Sequence, residues 1–385
     1  MLKGAAVGVL ANQASIDTRG HHLAGLLKKS SHCKLTKLFA PEHGFFGDAQ
    51  DMDSVSDVND PSTGIEIISL YGQTAGNLSP TVENFAGLDA LVVDLPDIGT
   101  RYYTFSQTMA YCMKVAGAAG VKVIVLDRPN PIGGAQIEGS PLTKAYRSFC
   151  GIGPIANRHG MTLGELAALF RGGFGEGEAA IEKHNCELEI IQVKGWQRSM
   201  YLDETSIPWV PPSPNMQSLE TAGVYPGACL FEATNLSEGR GTSRPFELLG
   251  APFVDPAAWI AATRKVGIPL EGVSLRAVEF TPQFQKYAGE LCRGVQIHVD
   301  DRLTFKPYRF GIALLVAAAK TFPDDFKWRK QPYEFIDDVP AVDLLYGDDS
   351  LRNCAEGCSS IEGILKQMED FERWYKSARK QYLRY

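Results

Sequence analysis

Residues 34–48, KLTKLFAPEHGFFGD, contain an apolar run that stops abruptly at a turn. The apolar residues 35–40 predict a buried strand. Residues 41–44 end that strand, because their proline cannot donate to a central ladder and their glycine permits backbone geometry that other residues resist. Glu42 and His43 are thereby placed just past the carboxyl end of a strand. In open α/β sheets, ligands bind at that edge.

The composition is that of a globular protein with an acidic balance. The chain has 385 residues, enough for two domains of ordinary size, and 44% of them are hydrophobic. Its net charge is −7 and its pI is near 5.6, which argues against nucleic acid or an anionic membrane as the main partner. A local basic pocket for a small anionic ligand is compatible with this balance.

The eight cysteines contain no C-x-x-C pair. We therefore expect scattered buried thiols in a reducing compartment and no metal site. No apolar run approaches the roughly 20 residues of a membrane span, and no signal peptide opens the sequence. As it stands, the sequence predicts a cytoplasmic protein. If the natural chain carries a leader, we expect the cell envelope or secretion instead.

Strands and helices alternate over residues 1–135, which predicts right-handed crossovers and a Rossmann-like domain with a parallel sheet. The predicted strands are Ala5–Ala11, 35–40, 65–70, 88–95 and 121–126, and the predicted helices are 21–28 and Phe105–Ala119, the latter closed by Gly120. Four strand exits carry polar residues, namely Asn12, Glu42, Asp97 and Asp127. Because the carboxyl ends of parallel strands share one edge, we expect these side chains to converge.

The pattern changes after residue 135, and we predict a second, smaller α/β domain over residues 136–385. Its predicted helices are 163–171, 256–266, 308–320 and 361–383, and its predicted strands are 186–193, 273–280 and 294–299. Residues 196–247 are rich in Pro, Gly, Ser and Asn, and we interpret them as a long irregular stretch. A loop run of this length is usually functional.

Glu42 and His43 are the first candidates for catalysis. A carboxyl group at a strand end is well placed as a general acid if apolar neighbours such as Phe39, Phe45 and Phe46 keep it protonated. The alternative is a loop glutamate held in a salt bridge, and the motif alone does not decide between the two.

A second group of candidates lies in DIGTRYYTF, residues 97–105. Arg101 is suited to bind a carboxylate in bidentate fashion, and Tyr102 and Tyr103 offer stacking surfaces. The alternative is an internal ion pair between Asp97 and Arg101 that supports the start of a helix.

Two further motifs contribute polar candidates. The stiff strand exit DRPNP contains Asp127, Arg128 and Asn130. Asp127 is placed to orient Arg128 or a substrate hydroxyl, with structural bracing as the alternative. His159, in the motif RHGMT, faces either the site or the packing at a helix entry, and packing is the commoner role of such a residue.

In the second half, the best candidates are Asn215 and the run EGRGT, which contains Glu238 and Arg240. Glycines on both sides of Arg240 let the backbone approach a ligand, and its guanidinium is suited to an anion. The alternative is a tight turn with an exposed arginine.

Nucleotide motifs are absent or incomplete. GIGPIA at 151–156 matches G-x-G-x-x-A by letter, but it follows no convincing strand and has a proline in its middle. The first strand exit, ANQA, lacks the glycines that a pyrophosphate requires. No Walker A, H-E-x-x-H or G-x-S-x-G motif appears. We therefore expect no cofactor.

Taken together, these motifs resemble the NamZ-type exo-β-N-acetylmuramidases, a family long described as a domain of unknown function. The shared stretches are FAPEHGFFGDAQ (39–50), DLPDIGTRYYTF (94–105), LDRPNPIGG (126–134), RHGMTLGELA (158–167), PSPNM (212–216) and NLSEGRGTSRPFELLGAPF (235–253). They cover nearly the whole chain in order.

The resemblance implies a Rossmann-like domain and a smaller α/β domain with the active site in a cleft between them. It implies removal of N-acetylmuramic acid from the non-reducing end of peptidoglycan fragments. The glutamate of P-E-H-G, here Glu42, is the family's proposed catalytic residue. Secreted relatives carry a leader and an N-terminal extension, whereas this sequence starts close to its first strand.

The candidate residues fit the implied substrate. N-acetylmuramic acid carries a lactyl carboxylate, which Arg101 or Arg240 is suited to bind. Sugar hydrolysis needs an acid at the leaving oxygen and a second group at the anomeric centre. Glu42 is assigned to the acid, while Asp97, Glu238 and the substrate's own acetamido group stay open for the second role. Exo action needs loops that close one end of the cleft, and the long irregular stretch is available for that.

Two other functions compete with this one. The first is a non-catalytic protein that binds muropeptides or another anionic sugar with the same residues. The second is a nucleotide-dependent Rossmann enzyme, which the missing glycine fingerprint disfavours. The expected partner is a small saccharide rather than a nucleic acid.

Overall fold

A mostly parallel sheet organises the first part of the chain. The structure, a computed structural model, describes residues 2–50 and 52–385. Within them, seven strands make up this sheet: β1 Ala5–Ala11, β2 Cys33–Ala40, β3 Val58–Asn59, β4 Glu66–Ser69, β5 Ala90–Asp94, β6 Lys122–Leu126 and β7 Leu188–Ile191. They lie in the order β3-β4-β2-β1-β5-β6-β7, and every neighbouring pair is parallel except β3 with β4.

The strand order places β1 inside the sheet, with strands added first on one side of it and then on the other. From β1 the chain moves to β2 and β4 on one side, and then returns to β5, β6 and β7 on the other. Val9 of β1 lies opposite Leu38 and Val92, and all three are buried. Ligand crevices of open α/β sheets lie at such a reversal, outside the carboxyl ends of the strands. The exits of β1 and β5 are therefore the expected place for a ligand.

Capping residues set the ends of the helices beside this sheet. These helices are α1 Leu23–Lys29, α2 Phe105–Ala119 and α3 Leu163–Gly172. The range of α2 is the predicted one, and Gly120 ends it with a left-handed φ of 70°. At the start of α3, Thr162 and Glu165 each accept the other's backbone N–H in a capping box. Local signals were therefore sufficient for α2 and α3.

A smaller antiparallel sheet and further helices form the second part. Its strands are β8 Leu248–Ala251, β9 Val273–Phe280 and β10 Cys292–Val299, in the order β8-β10-β9. Its helices are α4 Leu219–Ala228, α5 Pro256–Thr263, α6 Pro307–Thr321, α7 Ala341–Tyr346, α8 Ser350–Ala355 and α9 Ile361–Ala378. The parallel sheet with its helices and this second, smaller sheet confirm the predicted α/β fold class.

Helix α4 lies inside the stretch that we predicted to be irregular, so that prediction was wrong for these residues. Ser218 caps the helix by accepting a hydrogen bond from the backbone N–H of Thr221 at 3.2 Å. The helix contains Gly223, Pro226 and Gly227, which disfavour a helix interior. Tertiary packing overrides these local preferences.

The chain divides into two compact units that are both discontinuous in sequence. Unit 1 comprises Met1–Gln136, Gly160–Pro214 and Ala378–Tyr385, and unit 2 comprises Ile137–His159 and Asn215–Ser377. This grouping differs from the division into residues 1–135 and 136–385 that the sequence suggested. The reason is that β7 pairs with β6, which returns residues 160–214 to the first unit.

Two kinds of feature are missing from the part of the chain that the structure describes. No helix there combines the length and the apolar character that crossing a bilayer requires. In the same residues, no three side chains of His, Cys, Asp or Glu are grouped so that they could hold a metal ion.

Candidate active site

The turn after β2 holds Glu42 and His43 at the carboxyl edge of the sheet. The backbone N–H of Gly44 donates to the carbonyl of Pro41 at 3.0 Å and closes a tight turn. His43 and Gly44 have φ angles of 69° and 79°, a left-handed geometry that glycine adopts freely and that is uncommon for histidine. The chain therefore reverses at once, and both the carboxylate and the imidazole stay buried at the strand end.

Both oxygens of Glu42 accept hydrogen bonds. The Thr104 hydroxyl donates to Oε2 at 2.7 Å, and the backbone N–H of Met52 approaches Oε1 at 3.5 Å. Thr104 stands at the N-cap of α2, where threonine usually accepts a hydrogen bond from a helix N–H. Here its hydroxyl orients the carboxylate instead. Thr104 was not among the residues predicted from the sequence, because helix capping alone explains a threonine at this position.

The loop that follows His43 holds its imidazole. Nδ1 lies 3.0 Å from the carbonyl oxygen of Ala49. A carbonyl only accepts, so Nδ1 carries the hydrogen. The Ala49 N–H in turn donates to the His43 carbonyl at 3.4 Å. In the neutral ring, Nε2 is then the nitrogen that can accept a hydrogen bond.

The segment after β5 is braced at both of its ends. Oδ2 of Asp97 accepts the backbone N–H of Gly99 at 2.8 Å, and Gly99 has a φ of 88°. At the other end, the carbonyl of Arg101 accepts a hydrogen bond from the Gln107 side chain on α2. Asp97, Arg101 and Tyr102 are all buried. Three of the predicted site residues therefore lie on one rigid segment.

Tyr103 shows that Glu42 and Asp97 share one neighbourhood. Burial raises the pKa of Tyr103 well above its ordinary value, and the negative charges of Asp97 and Glu42 raise it further. The phenol therefore keeps its hydrogen at neutral pH and can act as a hydrogen-bond donor. The candidate acid and a candidate second carboxylate lie close enough to act on the same side chain.

Asn12 connects the exit of β1 to a segment that is distant in sequence. Its Nδ2 donates to the carbonyl of Pro212 at 3.0 Å, and its Oδ1 accepts the backbone N–H of Ala14 at 3.1 Å. The neighbouring Gln13 donates to the carbonyl of Pro211 at 2.7 Å. These contacts favour a bracing role for Asn12, and a role in substrate binding stays a prediction.

Arg128 is anchored to the end of β5. Its Nε donates to Oδ1 of Asp94 at 2.5 Å and its Nη2 to Oδ2 at 2.9 Å, a bidentate pair. Nη2 also donates to the carbonyl of Ile16 at 2.8 Å. Among the described residues, Nη1 has no hydrogen-bond partner, so its two hydrogens are available to another acceptor. Asp94 was not among the predicted site residues, because it lies 34 residues before its partner.

A groove lies beside this arginine, at the carboxyl edge of the sheet in unit 1. Its volume is about 410 Å³, and Ser15, Asp94, Asp127 and Arg128 line it. These residues come from the exits of β1, β5 and β6. The volume is in the range of about 300–1,000 Å³ that small-molecule sites have. The arginine therefore borders a space that can take a small ligand.

Asp127 braces the start of α3. Its Oδ1 accepts the backbone N–H of Gly164 at 2.7 Å, and its Oδ2 accepts the hydroxyls of Thr162 at 2.7 Å and Tyr385 at 2.6 Å. Burial raises the pKa of Asp127, and these hydrogen bonds oppose that rise. The contacts favour structural bracing, and its role towards substrate stays a prediction.

Asn130 packs against the DIGT segment. It donates to the carbonyl of Met161 at 2.9 Å and accepts the backbone N–H of Ile132 at 3.1 Å. A Cβ on Gly99 would lie 2.6 Å from the Asn130 Oδ1, so this approach requires glycine. The side chain thus supports the segment that carries Asp97, and a contact with substrate stays a prediction.

In unit 2, Glu238 and Arg240 belong to a buried network of charges. Nη2 of Arg240 donates to Oε1 of Glu232 at 2.8 Å, and its Nη1 lies 3.6 Å from Oε1 of Glu238. Lys286 donates to Glu238 at 2.8 Å, and the Tyr333 hydroxyl donates to Glu232 at 2.5 Å. Two carboxylates oppose two cations here. Because these carboxylates already compensate the charge of the guanidinium, the contacts favour a structural role for Arg240. Binding of an anion by Arg240 stays a prediction.

The other two candidates of unit 2 are also buried. His159 has no exposed surface, and its carbonyl accepts the Tyr375 hydroxyl at 3.2 Å. Its neighbour Arg158 lies 3.7 Å from Glu138. Asn215 is 7% exposed. These surroundings favour the packing interpretation of His159, and the binding roles of both candidates stay predictions.

Models of a known family match this chain in two consecutive parts. The N-terminal model of exo-beta-N-acetylmuramidase NamZ matches residues 7–220, and the C-terminal model matches residues 223–385. Glu42 and Asp97 fall in the first part, and Glu238 and Arg240 fall in the second. Together the two models span nearly the whole chain.

Individual relatives support the same match. A peptidoglycan beta-N-acetylmuramidase NamZ of Bacillus subtilis (strain 168) is 41% identical over 384 residues, which is 100% of this chain and 88% of that protein. Two crystal structures of DUF1343 family proteins from Bacteroides fragilis NCTC 9343 have a similar fold, with TM-scores of 0.87 at 28% identity and 0.72 at 27% identity. Each match covers 100% of this chain and 95% of the other.

Proposed function

This chain belongs to the exo-β-N-acetylmuramidase NamZ family, and from that premise we propose its substrate and its catalytic acid. Membership in the family makes the protein a glycosidase. We propose that it removes a β-linked N-acetylmuramic acid residue from the non-reducing end of peptidoglycan fragments. Glu42 acts as the general acid in this proposal.

The observation that supports Glu42 is its fixed and buried position at the end of β2. The carboxylate is 4% exposed, and Thr104 holds one of its oxygens at 2.7 Å. Oε1 has only a long contact, 3.5 Å, to the N–H of Met52, so it is the oxygen less tightly engaged. A general acid needs this combination of fixed orientation, exclusion from bulk water and an oxygen that can carry a proton.

In the proposed reaction, Glu42 donates its proton to the glycosidic oxygen as the bond to the anomeric carbon breaks. The remaining fragment leaves as an alcohol. Water supplies the hydroxyl group at the anomeric carbon and the proton that returns to Glu42. Asp97, Glu238 and the substrate's acetamido group are the candidates for the group that assists at the anomeric carbon. Asp97 is favoured among them because the charges of Asp97 and Glu42 both raise the pKa of Tyr103.

His43 and the arginines complete the proposal. Because Nδ1–H is engaged by the carbonyl of Ala49, Nε2 is the ring nitrogen of His43 that is left to contact a substrate hydroxyl. Arg101, Arg128 and Arg240 are the proposed partners for the lactyl carboxylate of the sugar. Of these, Arg128 lines the groove of unit 1.

The test is hydrolysis of a chromogenic β-N-acetylmuramide by the wild type and by Glu42→Gln. The matched control is Glu66→Gln, which makes the same change at an exposed carboxylate of β4 in the same unit. We expect Glu42→Gln to lower kcat/KM by about 10²–10⁴, the contribution of a general acid, and the control to behave as the wild type. Activity of Glu42→Gln near that of the wild type would remove Glu42 from the mechanism. Binding without turnover by the wild type would favour the non-catalytic function.

A further inference from the structure

A second groove lies in unit 2, between the end of α6, the loop after it and the end of α8. Its volume is about 550 Å³, within the range of ligand sites. Lys320, Lys327, Trp328, Lys330 and Glu356 contribute to its lining. All of the lining comes from residues 319–357, whereas the candidate catalytic and binding residues lie earlier in the chain.

Three lysines line this groove, and none of them is held in an ion pair by the described residues. Lys320, Lys327 and Lys330 are all exposed. Of the described residues, none supplies a carboxylate that pairs with any of the three ammonium groups. Lys327 donates one hydrogen to the carbonyl of Asp324 at 2.6 Å, which leaves two. On a protein of net charge −7, such a cluster attracts anions to one place.

The aromatic wall of the groove is fixed in place. The indole N–H of Trp328 donates to Oε1 of Glu356 at 2.9 Å. Its ring and the ring of Phe326 form a T-shaped pair with centroids 5.0 Å apart and an interplanar angle of 86°. Phe326 is buried, while Trp328 is half-buried. A rigid aromatic face of this kind presents a flat apolar surface at low cost in conformational entropy.

The carboxylates near the groove do not reverse its charge. Glu356 is the carboxylate of the lining, and the Trp328 indole already engages it. Asp324 and Asp325 are exposed on the same loop but are not part of the lining. The groove therefore combines three available cations, one engaged anion and one aromatic face.

We propose that this groove is a second, non-catalytic saccharide site that holds a carboxylate-bearing glycan. The ammonium groups bind the carboxylates, and Trp328 packs against the apolar face of a sugar ring. The choice of glycan rests on the proposed function, because peptidoglycan strands carry carboxylates along their length. The groove keeps the enzyme on the insoluble polymer, while a short soluble substrate does not use it.

The experiment is co-sedimentation with purified peptidoglycan from which other wall polymers have been removed. The variants are Lys320→Gln/Lys330→Gln and Trp328→Ala. The control is Lys28→Gln/Lys29→Gln, which removes two exposed charges from the last turn of α1. We expect the apparent Kd of the first double variant to rise at least about fivefold, with no change for the control. Turnover of the small chromogenic substrate stays at the wild-type level in all three.

Two further measurements, at high salt and with modified peptidoglycan, separate the contribution of the lysines from that of Trp328. At about 1 M salt the screening length falls from about 10 Å to about 3 Å, so wild-type binding weakens towards that of the lysine variant. Trp328→Ala, checked for folding by circular dichroism, weakens binding at both salt concentrations. Peptidoglycan with amidated carboxylates loses the lysine-dependent part of the binding.

Three results overturn the proposal. They are equal sedimentation of the lysine variant and its control, equal wild-type binding to amidated and native peptidoglycan, and binding only to a phosphate-bearing polymer. Co-sedimentation measures binding and needs no turnover, so it tests binding by the groove even if the wild type does not hydrolyse the chromogenic substrate. A failure of the proposed hydrolysis and a failure of this site are therefore distinguishable.

Discussion

The Thr104 hydroxyl donates a hydrogen bond to Oε2 of Glu42 at 2.7 Å, and both side chains are buried. The two residues are 62 positions apart. The bond joins the turn after β2 to the start of α2, so the orientation of the carboxylate depends on the packing of a helix. Glu42 becomes ionised when it gives up its proton, and hydrogen bonds to a charged group contribute about 1.5–3 kcal/mol, enough to hold one rotamer of that carboxylate.

Thr104→Val should lower activity without preventing folding. Valine keeps the shape of threonine but cannot donate, so the carboxylate loses its orientation. We expect kcat on the chromogenic substrate to fall by about 10-fold to 100-fold, the equivalent of the lost bond, with KM nearly unchanged. Thr104→Ser, which restores a hydroxyl, should recover most of the rate. A kcat for Thr104→Val within about twofold of the wild type would show that the contact is structural only.

Arg128→Lys should destabilise unit 1. A lysine has one ammonium group and cannot reproduce the bidentate pair with Asp94 and the bond to the Ile16 carbonyl together. Because the pair is largely buried, we expect the free energy of unfolding in urea to fall by about 1–3 kcal/mol. The control is Arg373→Lys, whose ion pair with Asp370 is exposed and should matter little. Equal losses in the two variants would contradict an anchoring role.

The positions of the strand exits could be predicted from the sequence, whereas the hydrogen bonds between side chains at those exits could not. The apolar runs and their turns located the ends of β1, β2, β5 and β6, because a parallel sheet gathers its carboxyl ends at one edge. The partner of Arg128 and the partner of Glu42 come from other exits. No local pattern records a partner 34 or 62 residues away. The sequence therefore located the strand ends that carry the candidate residues, whereas bracing and binding stayed open as alternatives for several of those residues.

The stability contributed by Tyr385 should depend on pH. Its hydroxyl donates to Asp127 at 2.6 Å. Burial raises the pKa of Tyr385 above its ordinary value of 10.0, and the bond to Asp127 raises it further. Above about pH 10 the unfolded state has therefore lost the phenolic proton while the folded state keeps it, so the free energy of unfolding falls as pH rises.

Tyr385→Phe measures this contribution. Near neutral pH we expect the variant to be less stable than the wild type by about 1 kcal/mol, the usual worth of one hydrogen bond. The difference should shrink between about pH 9 and about pH 11, because only the wild type carries the group that titrates. Urea unfolding at several pH values gives this difference directly. A difference that stays constant over the range would mean that the phenol does not titrate differently in the two states.

Helix α4 was missed because the reason for its glycines lies in another helix. A Cβ on Gly311 of α6 would lie 2.4 Å from the Gly227 Cα, and a Cβ on Gly227 would lie 2.0 Å from the Pro307 carbonyl oxygen. These are backbone atoms, which cannot move aside as a flexible side chain can. The two helices therefore approach each other at a point where only glycine fits, and the contact selects residues that a helix otherwise disfavours.

Gly311→Ala and Gly223→Ala should thus have opposite effects on stability. Both glycines lie in helices with ordinary φ angles, so helix propensity alone favours alanine at each by about 0.5–1 kcal/mol. Apart from its chain neighbours and the backbone of its own helix, no described atom lies within 4 Å of a Cβ built on Gly223, and we expect that variant to be stabilised by this amount. At Gly311 the overlap with α4 should outweigh the gain and destabilise the protein by about 1–3 kcal/mol. Urea unfolding gives the free energy of unfolding of each variant. If both substitutions stabilise the protein, α4 and α6 do not approach each other this closely.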